Sequence, residues 1–417
     1  MPSTERAARI HYGWWIVVAA VTIEFFGLGF GIFALTASYP YLIQAFGWSR
    51  TAVVGSMTIV VATVAVLGPA VGSFLDRHSI RGLFIVGSLI QAVALCWLAT
   101  IESLGAYYAA SALLGVGMSG VTVLPNQILV TRWFRARLGL VNGLVTAGTM
   151  LGGAASPSLV TVLAESWGWR AGFLVMAALV GTIPPVVVWF LVRDRPADLG
   201  LAPYGGAALE TTALSAREGL GAAIRQPTLW MIGVAFFLAS WPCYAATKHI
   251  ILYLRDLGVA PVPAAGTLSE MLLFSTIGRL LFGVLWDASP PRAILLIDCV
   301  LLAAGALLLL AAENPVVRAV YPFVFGLGYG GLMPLIPLTV VAYFGRRTMG
   351  AVLGFCKLFY DTAAATAPLL TAYLYDRSGS YAFAFTLNAV LPCLALALVV
   401  FALRPPAGQV DETRAAA

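Results

Sequence analysis

The chain of 417 residues contains an internal repeat with a fixed offset of 211 residues, and both copies consist largely of apolar segments. The Gly-x-Gly-x-x-Gly motif at 115–120 returns at 326–331, and Pro157 returns as Pro368. Near the middle of the repeat the offset shortens by one residue. A duplicated chain is expected to fold as two related halves, because the same pattern of apolar and small residues imposes similar packing twice.

The composition requires lipid as the solvent. Hydrophobic residues make up 60% of the chain, charged residues make up 10%, and the mean hydropathy is +0.92. A soluble domain carries about 25% charged residues. So few charges cannot cover a water-facing surface, and we predict an integral membrane protein in a lipid bilayer.

Apolar segments of about twenty residues predict transmembrane helices. Twelve such segments are present, and the polar stretch 193–227 separates the first six from the last six. We therefore predict an all-α fold with two pseudo-symmetric six-helix halves, 1–192 and 228–417, joined by a linker at 193–227. Two related six-helix halves are typical of secondary transporters. The predicted spans are 14–40, 51–75, 83–101, 105–131, 138–163, 170–192, 228–254, 263–286, 291–311, 316–342, 350–374 and 381–403.

The basic residues predict the orientation. Both termini and the linker lie on one side of the predicted bundle, and that side carries sixteen Lys and Arg residues against five on the other. Loops rich in Lys and Arg stay in the cytoplasm, so we place the termini there. The short connections favour a bacterial inner membrane, and we expect a monomer.

Several classes of protein are excluded. The five cysteines stand singly in apolar segments, which is typical of packing residues rather than of disulfides or metal ligands. The two glycine motifs lie inside apolar helices without a preceding strand, so we predict helix packing rather than dinucleotide binding. No phosphate-binding loop, His-Glu-x-x-His or Gly-x-Ser-x-Gly motif is present. We expect no enzyme activity, no cofactor, no metal and no nucleic-acid partner.

The loop after the second predicted span carries the pattern Gly-x-x-x-Asp-Arg-x-x-x-Arg, and its glycine and aspartate recur in the second half. The pattern resembles the loop signature of the major facilitator superfamily, and the resemblance implies that fold. A carboxylate at a helix end can pair with arginines and neighbouring helix termini, while the alternative is a plain solvated turn. The predicted conformational latch comprises Gly72, Asp76, Arg77, Arg81, Gly283 and Asp287.

A narrower resemblance covers two segments. The stretch 133–148, which begins Trp-Phe-Arg-Ala-Arg, is similar to a signature of monocarboxylate transporters, and Tyr12-Gly13-Trp14-Trp15 resembles the motif that precedes their first helix. The acidic residue that usually leads the second motif is missing. The related oxalate/formate antiporters share much of this pattern, so the motifs leave both families open.

Arg279 is the strongest candidate for substrate binding. It lies about eight residues inside the eighth predicted span, or roughly 12 Å at 1.5 Å per residue. The resemblance implies that this arginine binds a substrate carboxylate, which a guanidinium fork fits well. Ser275 stands where the family usually has an aspartate, so the proton route of the family is in doubt. The alternative is a permanent structural pair with Asp361.

Other ionisable residues in the spans are candidates for proton coupling, because a charge in the bilayer centre costs at least about 2.5–3.5 kcal/mol. Asp361 and Lys357 lie one turn apart, so an internal ion pair is the alternative to proton transfer. Lys248 and His249 lie near the outer end of the seventh span, where snorkelling is the alternative. Asp298 is expected to be structural, and Glu24 has no assigned role.

Asn142, in the family motif of the fifth span, is a candidate hydrogen-bond donor to the substrate, and a helix-end hydrogen bond is the alternative. Bulky neighbours would leave a small cavity suited to a short carboxylate. The candidate walls are Leu28, Phe30, Phe33, Leu144, Tyr244, Tyr329 and Phe359.

The sequence therefore predicts a secondary transporter for a small monocarboxylate of the lactate or pyruvate type, with co-transported protons and alternating access. A carboxylate exchanger of the oxalate/formate type is the alternative, because Lys357 near Arg279 would supply a second cation for a dicarboxylate.

Overall fold

The computed structural model describes residues 11–75, 78–205, 223–344 and 349–401. Within these ranges the fold is all-α, and the only β-type pairing is an isolated bridge between Phe134 and Tyr204. The helices are α1 Gly13–Phe46, α2 Arg50–Leu75, α3 Ile80–Leu98, α4 Leu104–Ser119, α5 Val123–Trp133, α6 Leu138–Trp167, α7 Trp169–Leu191, α8 Pro227–Asp256, α9 Pro261–Ala288, α10 Pro291–Leu310, α11 Pro315–Phe344, α12 Met349–Ser378 and α13 Ala382–Phe401. The predicted all-α membrane fold is confirmed.

Ten of the described helices are long and apolar enough to cross a membrane. α12 and the α4–α5 pair occupy the positions of the other two predicted spans. α12 is long, but Lys357, Asp361 and its threonines make it less apolar. The prediction of one continuous helix over 105–131 was wrong, because the chain breaks between α4 and α5. The Asn126 side chain donates to the carbonyl of Val121 at 3.3 Å, in the break, and to that of Thr122 at 3.2 Å, which also accepts the backbone N–H of Asn126.

α1 contains a second irregularity. Its segment Glu24–Phe30 is a π-helix, in which the backbone hydrogen bonds span one residue more than in an α-helix. Two of its carbonyls receive additional bonds: Gly27 accepts from Gln91 Nε2 at 3.2 Å, and Gly29 accepts from Ser156 Oγ at 3.4 Å. Buried polar side chains of α3 and α6 therefore support the altered turn.

The turns on one side of the repeat are built alike in both copies. Gly47 after α1 and Gly258 after α8 have φ angles of +67° and +77°, and they stand 211 residues apart. Only glycine adopts this left-handed conformation at little cost, and it ends a helix there. Prolines at the first position begin α8, α9 and α10, where the missing N–H has no helical partner to lose.

The chain divides into two compact units. The first comprises 1–35, 59–156 and 166–210, and the second comprises 36–58, 157–165 and 211–417. In the first unit α3 packs mainly against α4 and α7. In the second unit α10 packs against α11 and α13, which are the helices at the corresponding repeat positions. The division into halves 1–192 and 228–417 remains a prediction from the repeat.

The glycine motifs lie where helices touch. A Cβ atom on Gly115 would lie 2.8 Å from Thr63 of α2, and one on Gly326 would lie 2.8 Å from Phe274 of α9. The predicted role in close helix packing is confirmed.

Two arginines close helix ends in the same way in each unit. Arg81 of α3 donates through Nη2 to the carbonyl of Trp189 at 2.7 Å, near the end of α7. Arg292 of α10 donates to the carbonyl of Val400, near the end of α13. Both arginines satisfy carbonyls that the helix itself leaves unpaired.

Candidate functional site

Arg279 lies in α9 where that helix touches α11 most closely. The side chain is only 8% exposed. A Cβ atom on Gly330 would lie 2.7 Å from the backbone nitrogen of Arg279, and one on Gly278 would lie 2.9 Å from the Cα of Leu327. Glycine on both helices thus permits direct backbone contact, which fixes the helix segment that carries the guanidinium. Ser275, one turn earlier, is fully buried.

Tyrosines surround this part of the second unit. Tyr329 of α11 and Tyr360 of α12 are buried, and both phenols interact electrostatically with Arg279. The ring of Tyr244 from α8 meets that of Tyr360 edge-on, with centroids 5.3 Å apart. A guanidinium among phenols in an otherwise apolar environment can bind one carboxylate with charge-assisted hydrogen bonds. The structure therefore brings together the predicted residues Arg279, Tyr244 and Tyr329.

Tyr360 was not predicted. The candidate from the sequence is its neighbour Phe359, whose ring instead packs against Gly233 and lies 6.0 Å from the ring of Trp230. Adjacent residues on a helix point about 100° apart, so the choice of face decides which aromatic reaches the site. Cys356, one turn earlier on the same face of α12, is also buried.

Lys357 and Asp361 form an ion pair on α12. Lys357 Nζ lies 2.6 Å from Oδ1 and 2.7 Å from Oδ2 of Asp361, and the two side chains are 55% and 52% exposed. Thr362 and Thr366 continue the exposed stripe along the same helix. A polar stripe at membrane depth must face water rather than lipid, so this face of α12 is expected to line an aqueous path.

Lys248 and His249 of α8 are buried rather than interfacial. Lys248 is 4% exposed, and its Nζ donates to Thr36 Oγ1 at 3.2 Å. The carbonyl of Pro368 can only accept, so His249 Nε2, at 2.8 Å, carries the proton. In the neutral imidazole, His249 Nδ1 then accepts from the hydroxyl of Tyr381 at 2.9 Å. Both ring nitrogens are thus engaged with the neutral imidazole in place.

A polar cluster that the sequence did not predict extends from that tyrosine. Arg50, the first residue of α2, donates to Tyr381 Oη at 2.6 Å and pairs with Asp256 Oδ1 at 2.6 Å. Asp376 accepts from the backbone N–H groups of Arg50 at 3.1 Å and Thr51 at 2.8 Å. Asp376 thus caps the beginning of α2 from the end of α12.

Asp376 lies beyond the apolar segment 350–374. Burial alone would raise the pKa of this carboxyl, but the hydrogen bonds from Thr51 and Arg50 hold the pKa below its usual value. The capping interaction therefore favours the ionised carboxylate.

The first unit contains a buried carboxylate, Glu24, in the π-helical segment of α1. Glu24 is 0% exposed. Its Oε1 accepts from Asn126 Nδ2 of α5 at 3.0 Å, and its Oε2 accepts from Thr149 Oγ1 of α6 at 2.6 Å. Three segments far apart in the chain thus meet at one acid.

The remaining predicted residues are placed as follows. Leu28 and Asn142 are half-buried, Phe30 and Phe33 are buried, and Leu144 is 36% exposed, all in the first unit. Their role in substrate binding remains a prediction. In the latch, Asp76 and Arg77 lie outside the described residues, and of Gly72 and Asp287 only the helical backbone is described; Gly283 is half-buried in α9.

The two motifs of the narrower resemblance pack against each other. The ring of Trp14 lies 5.5 Å from that of Phe134, and the ring of Tyr12 lies 5.4 Å from that of Trp133. A Cβ atom on Gly13 would lie 3.0 Å from the Phe134 ring, so glycine permits the contact. Segments that are distant in sequence thus form one structural element at the start of α1.

With this geometry in place, comparisons with known proteins identify the class. The family model of the Major Facilitator Superfamily matches residues 21–360 and 267–416. Monocarboxylate transporter 13 of Bos taurus is 26% identical over 382 residues, covering 90% of this chain and 85% of that protein. The hexuronate transporter of Bacillus subtilis (strain 168) is 26% identical over 326 residues, covering 73% and 74%.

The fold has counterparts of known structure. A bacterial homolog of the human lysosomal transporter Spinster, in an inward-facing and unoccupied conformation, aligns with a TM-score of 0.71, 15% identity and 95% coverage of each chain. This likeness concerns the fold alone. The chain belongs to the Major Facilitator Superfamily, a family of membrane transporters that are not enzymes. Its resemblance to monocarboxylate transporters is confirmed at the level of relatives.

Proposed function

We propose that the protein transports a small monocarboxylate, of the lactate or pyruvate type, together with a proton. The observation that carries the proposal is the buried guanidinium of Arg279 among Tyr244, Tyr329 and Tyr360. Such a site offers one fixed positive charge with hydroxyl donors nearby, which matches one carboxylate and a small polar group.

Proton coupling follows from the cost of moving charge. A carboxylate that crosses the bilayer with its proton forms a neutral load, so the membrane interior opposes its passage less. Alternating access would open the arginine site to each side in turn. The bias of basic residues favours cytoplasmic termini. The short connections favour a bacterial inner membrane.

The arrangement on α12 favours a monocarboxylate over a dicarboxylate. Lys357 is held by both oxygens of Asp361, so its charge is already balanced by a neighbour on the same helix. An exchanger for a dicarboxylate would need that charge for the second carboxylate of the substrate. Both relatives described above are named for substrates that carry a carboxylate, which supports an acid of this class.

The first experiment measures uptake of labelled L-lactate and pyruvate into proteoliposomes, with and without an inward proton gradient. Arg279→Ala is expected to lower kcat/KM by about 100-fold, because charge-assisted hydrogen bonds contribute about 1.5–3 kcal/mol each and 1.4 kcal/mol is tenfold. Arg279→Lys keeps the charge but loses the fork, so a smaller loss is expected.

Arg170→Ala is the matched control, because Arg170 lies over the ring of Trp169 at the start of α7. Its uptake is expected to equal that of the wild type. If Arg279→Ala accumulates lactate or pyruvate to the level of this control, Arg279 does not bind the substrate carboxylate. Uptake that ignores the proton gradient but follows an outward oxalate or formate gradient would favour the exchanger.

A further inference from the structure

Glu24 is a buried ionisable group to which the proposed substrate site gives no role. It lies eleven residues into α1, or roughly 16 Å along the helix axis at 1.5 Å per residue, and none of its surface is exposed. An acid at such a depth is costly, so it is expected to serve a function or to be held by specific partners.

The site is built where two helices depart from regular geometry. Glu24 begins the π-helical segment of α1, and Asn126 follows the break between α4 and α5. The amide of Asn126 donates both to Glu24 and to the carbonyls of Val121 and Thr122. π-Helical turns are frequent at functional sites, and here the turn carries the acid.

The partners of Glu24 suit both forms of the carboxyl group. When Glu24 is ionised, Asn126 and Thr149 each donate to one of its oxygens. When Glu24 carries a proton on Oε2, its O–H can donate to Thr149 Oγ1, because a hydroxyl accepts as well as donates. Asn126 continues to donate to Oε1 in both forms. Gain or loss of a proton therefore leaves no carboxyl oxygen without a partner, which is the property that a reversible proton site requires.

Among the described residues, the surroundings of Glu24 add polar groups but no second carboxylate at this depth. α3 presents Gln91 and α6 presents Ser156 to the same π-helical segment, and both side chains are neutral. In the described parts of α3, α5, α6 and α7 the charged residues lie in terminal turns: Arg81, Arg132, Glu165 and Arg170.

We propose that Glu24 is a proton-binding site of the transport cycle, taking one proton onto Oε2 from water on one side of the membrane and releasing it to the other. The proposal rests on the proposed function for its role in coupling, while proton binding itself is a property of Glu24, Asn126 and Thr149. The carboxylate gains the proton from a hydronium ion, and Thr149 changes from donor to acceptor in the same step.

The transport test uses Glu24→Gln, which mimics the protonated acid in size and charge, and Asp298→Asn as the matched change at another buried acid. With Glu24→Gln, accumulation of lactate driven by a proton gradient is expected to be lost, while exchange of lactate across the membrane remains measurable. Asp298→Asn is expected to accumulate lactate as the wild type does. Accumulation by Glu24→Gln at the wild-type level would overturn the proposal, and so would accumulation driven by sodium instead of protons.

A spectroscopic test does not depend on the substrate. Infrared difference spectra of the purified wild-type protein, recorded between low and high pH, are expected to show the carbonyl band of a buried carboxylic acid that Glu24→Gln lacks. Thr149→Val removes one donor to the ionised form, so the band is expected to persist to higher pH than in the wild type. An unchanged band in both variants would overturn the proposal even if no carboxylate is transported. A protein with the band but without lactate uptake would instead refute the substrate assignment.

Discussion

In the first repeat Arg81 caps the end of α7, and in the second repeat Arg292 caps the end of α13 at the matching positions. The buried ionisable residues do not match in this way. Four of them stand opposite a small residue in the other repeat: Glu24 opposite Ala235, Lys248 opposite Ala37, Arg279 opposite Gly68 and Asp298 opposite Gly87. The two repeats thus share helix contacts and helix ends. Their buried ionisable residues, in contrast, stand at different positions in each repeat.

Two of these residues show how far the surroundings decide what an acid can do. Glu24 has a hydrogen-bond donor on each oxygen. Asp298 of α10 is equally buried, but its Oδ1 has no hydrogen-bond partner in the described part of the chain and lies against the backbone of Gly331. Burying a carboxylate oxygen without a hydrogen bond in an apolar environment strongly disfavours the ionised form of the acid. Glu24 is therefore suited to gain and lose a proton, and Asp298 is suited to remain neutral.

The largest difference in stability between matching substitutions of the two repeats is expected at a pair of glycines, Gly331 and Gly120. In Gly331→Ala the new Cβ would collide with Asp298 Oδ1 and lie 2.9 Å from Phe282, whereas in Gly120→Ala it would lie 3.2 Å from the carbonyl of Leu83. Overpacking of this kind costs about 1–3 kcal/mol, so Gly331→Ala should lower the thermal midpoint in detergent clearly more than Gly120→Ala. Equal shifts would mean that Asp298 moves aside freely.

A smaller difference in stability is expected between substitutions of the acids Asp376 and Glu165, which are 211 residues apart. Asp376 caps α2, but the residue at the matching helix start is Pro261, which has no N–H, and Glu165 instead accepts from the hydroxyl of Tyr41 at 2.7 Å. Asp376→Asn keeps an acceptor for only one of the two N–H groups, so it should cost about 0.5–1.5 kcal/mol at neutral pH, the contribution of one hydrogen bond. Glu165→Gln should change little, because its amide oxygen can still accept.

The pH dependence of stability tests whether the cap needs the charge of Asp376. Because the folded pKa of Asp376 lies below its usual value, its contribution is present above the unfolded pKa of about 3.9 and is lost as the pH falls through the folded pKa. Thermal midpoints of the wild type and Asp376→Asn should therefore differ at pH 7 and converge in acid. A constant difference at all pH values would show that the cap does not depend on the charge.

The smallest effect is expected for Asp298→Asn. If Asp298 is already neutral, an amide of the same shape should change the stability by less than about 1.5 kcal/mol. Thermal unfolding and proton-driven uptake measured on the same preparation test this together. Loss of proton-driven accumulation would place a second proton site in the other repeat and would remove the contrast with Glu24.

The sequence predicted the helices well because lipid imposes a simple rule on composition and length. The break before Val123 and the π-helical turn at Glu24 were not predictable in that way, since both segments remain apolar through the irregularity. Neither departure changes the hydrophobicity that identifies a span. Each depends instead on a hydrogen bond that shifts by one residue or passes to a side chain.

The site was predictable only where charge marked it. Arg279 was evident as a cation inside a span, whereas Tyr360 is one aromatic among many in such helices. The partners of Glu24 are 102 and 125 residues away in the chain, so no local pattern could indicate them. Long-range polar pairs of this kind emerge from packing, which the sequence of one protein does not show.

The arginine caps also bear on how the chain is made. Arg81 joins α3 to the end of α7, so both partners of this contact precede α8 in the chain and the contact can form before α8 has been synthesised. N-terminal regions generally fold first during synthesis, and an unpaired carbonyl in lipid would hold a helix end back from its final place. The first compact unit can thus form its α3–α7 contact early. Residues 36–58 and 157–165 belong to the second compact unit, so their packing is completed only after the second repeat has been made.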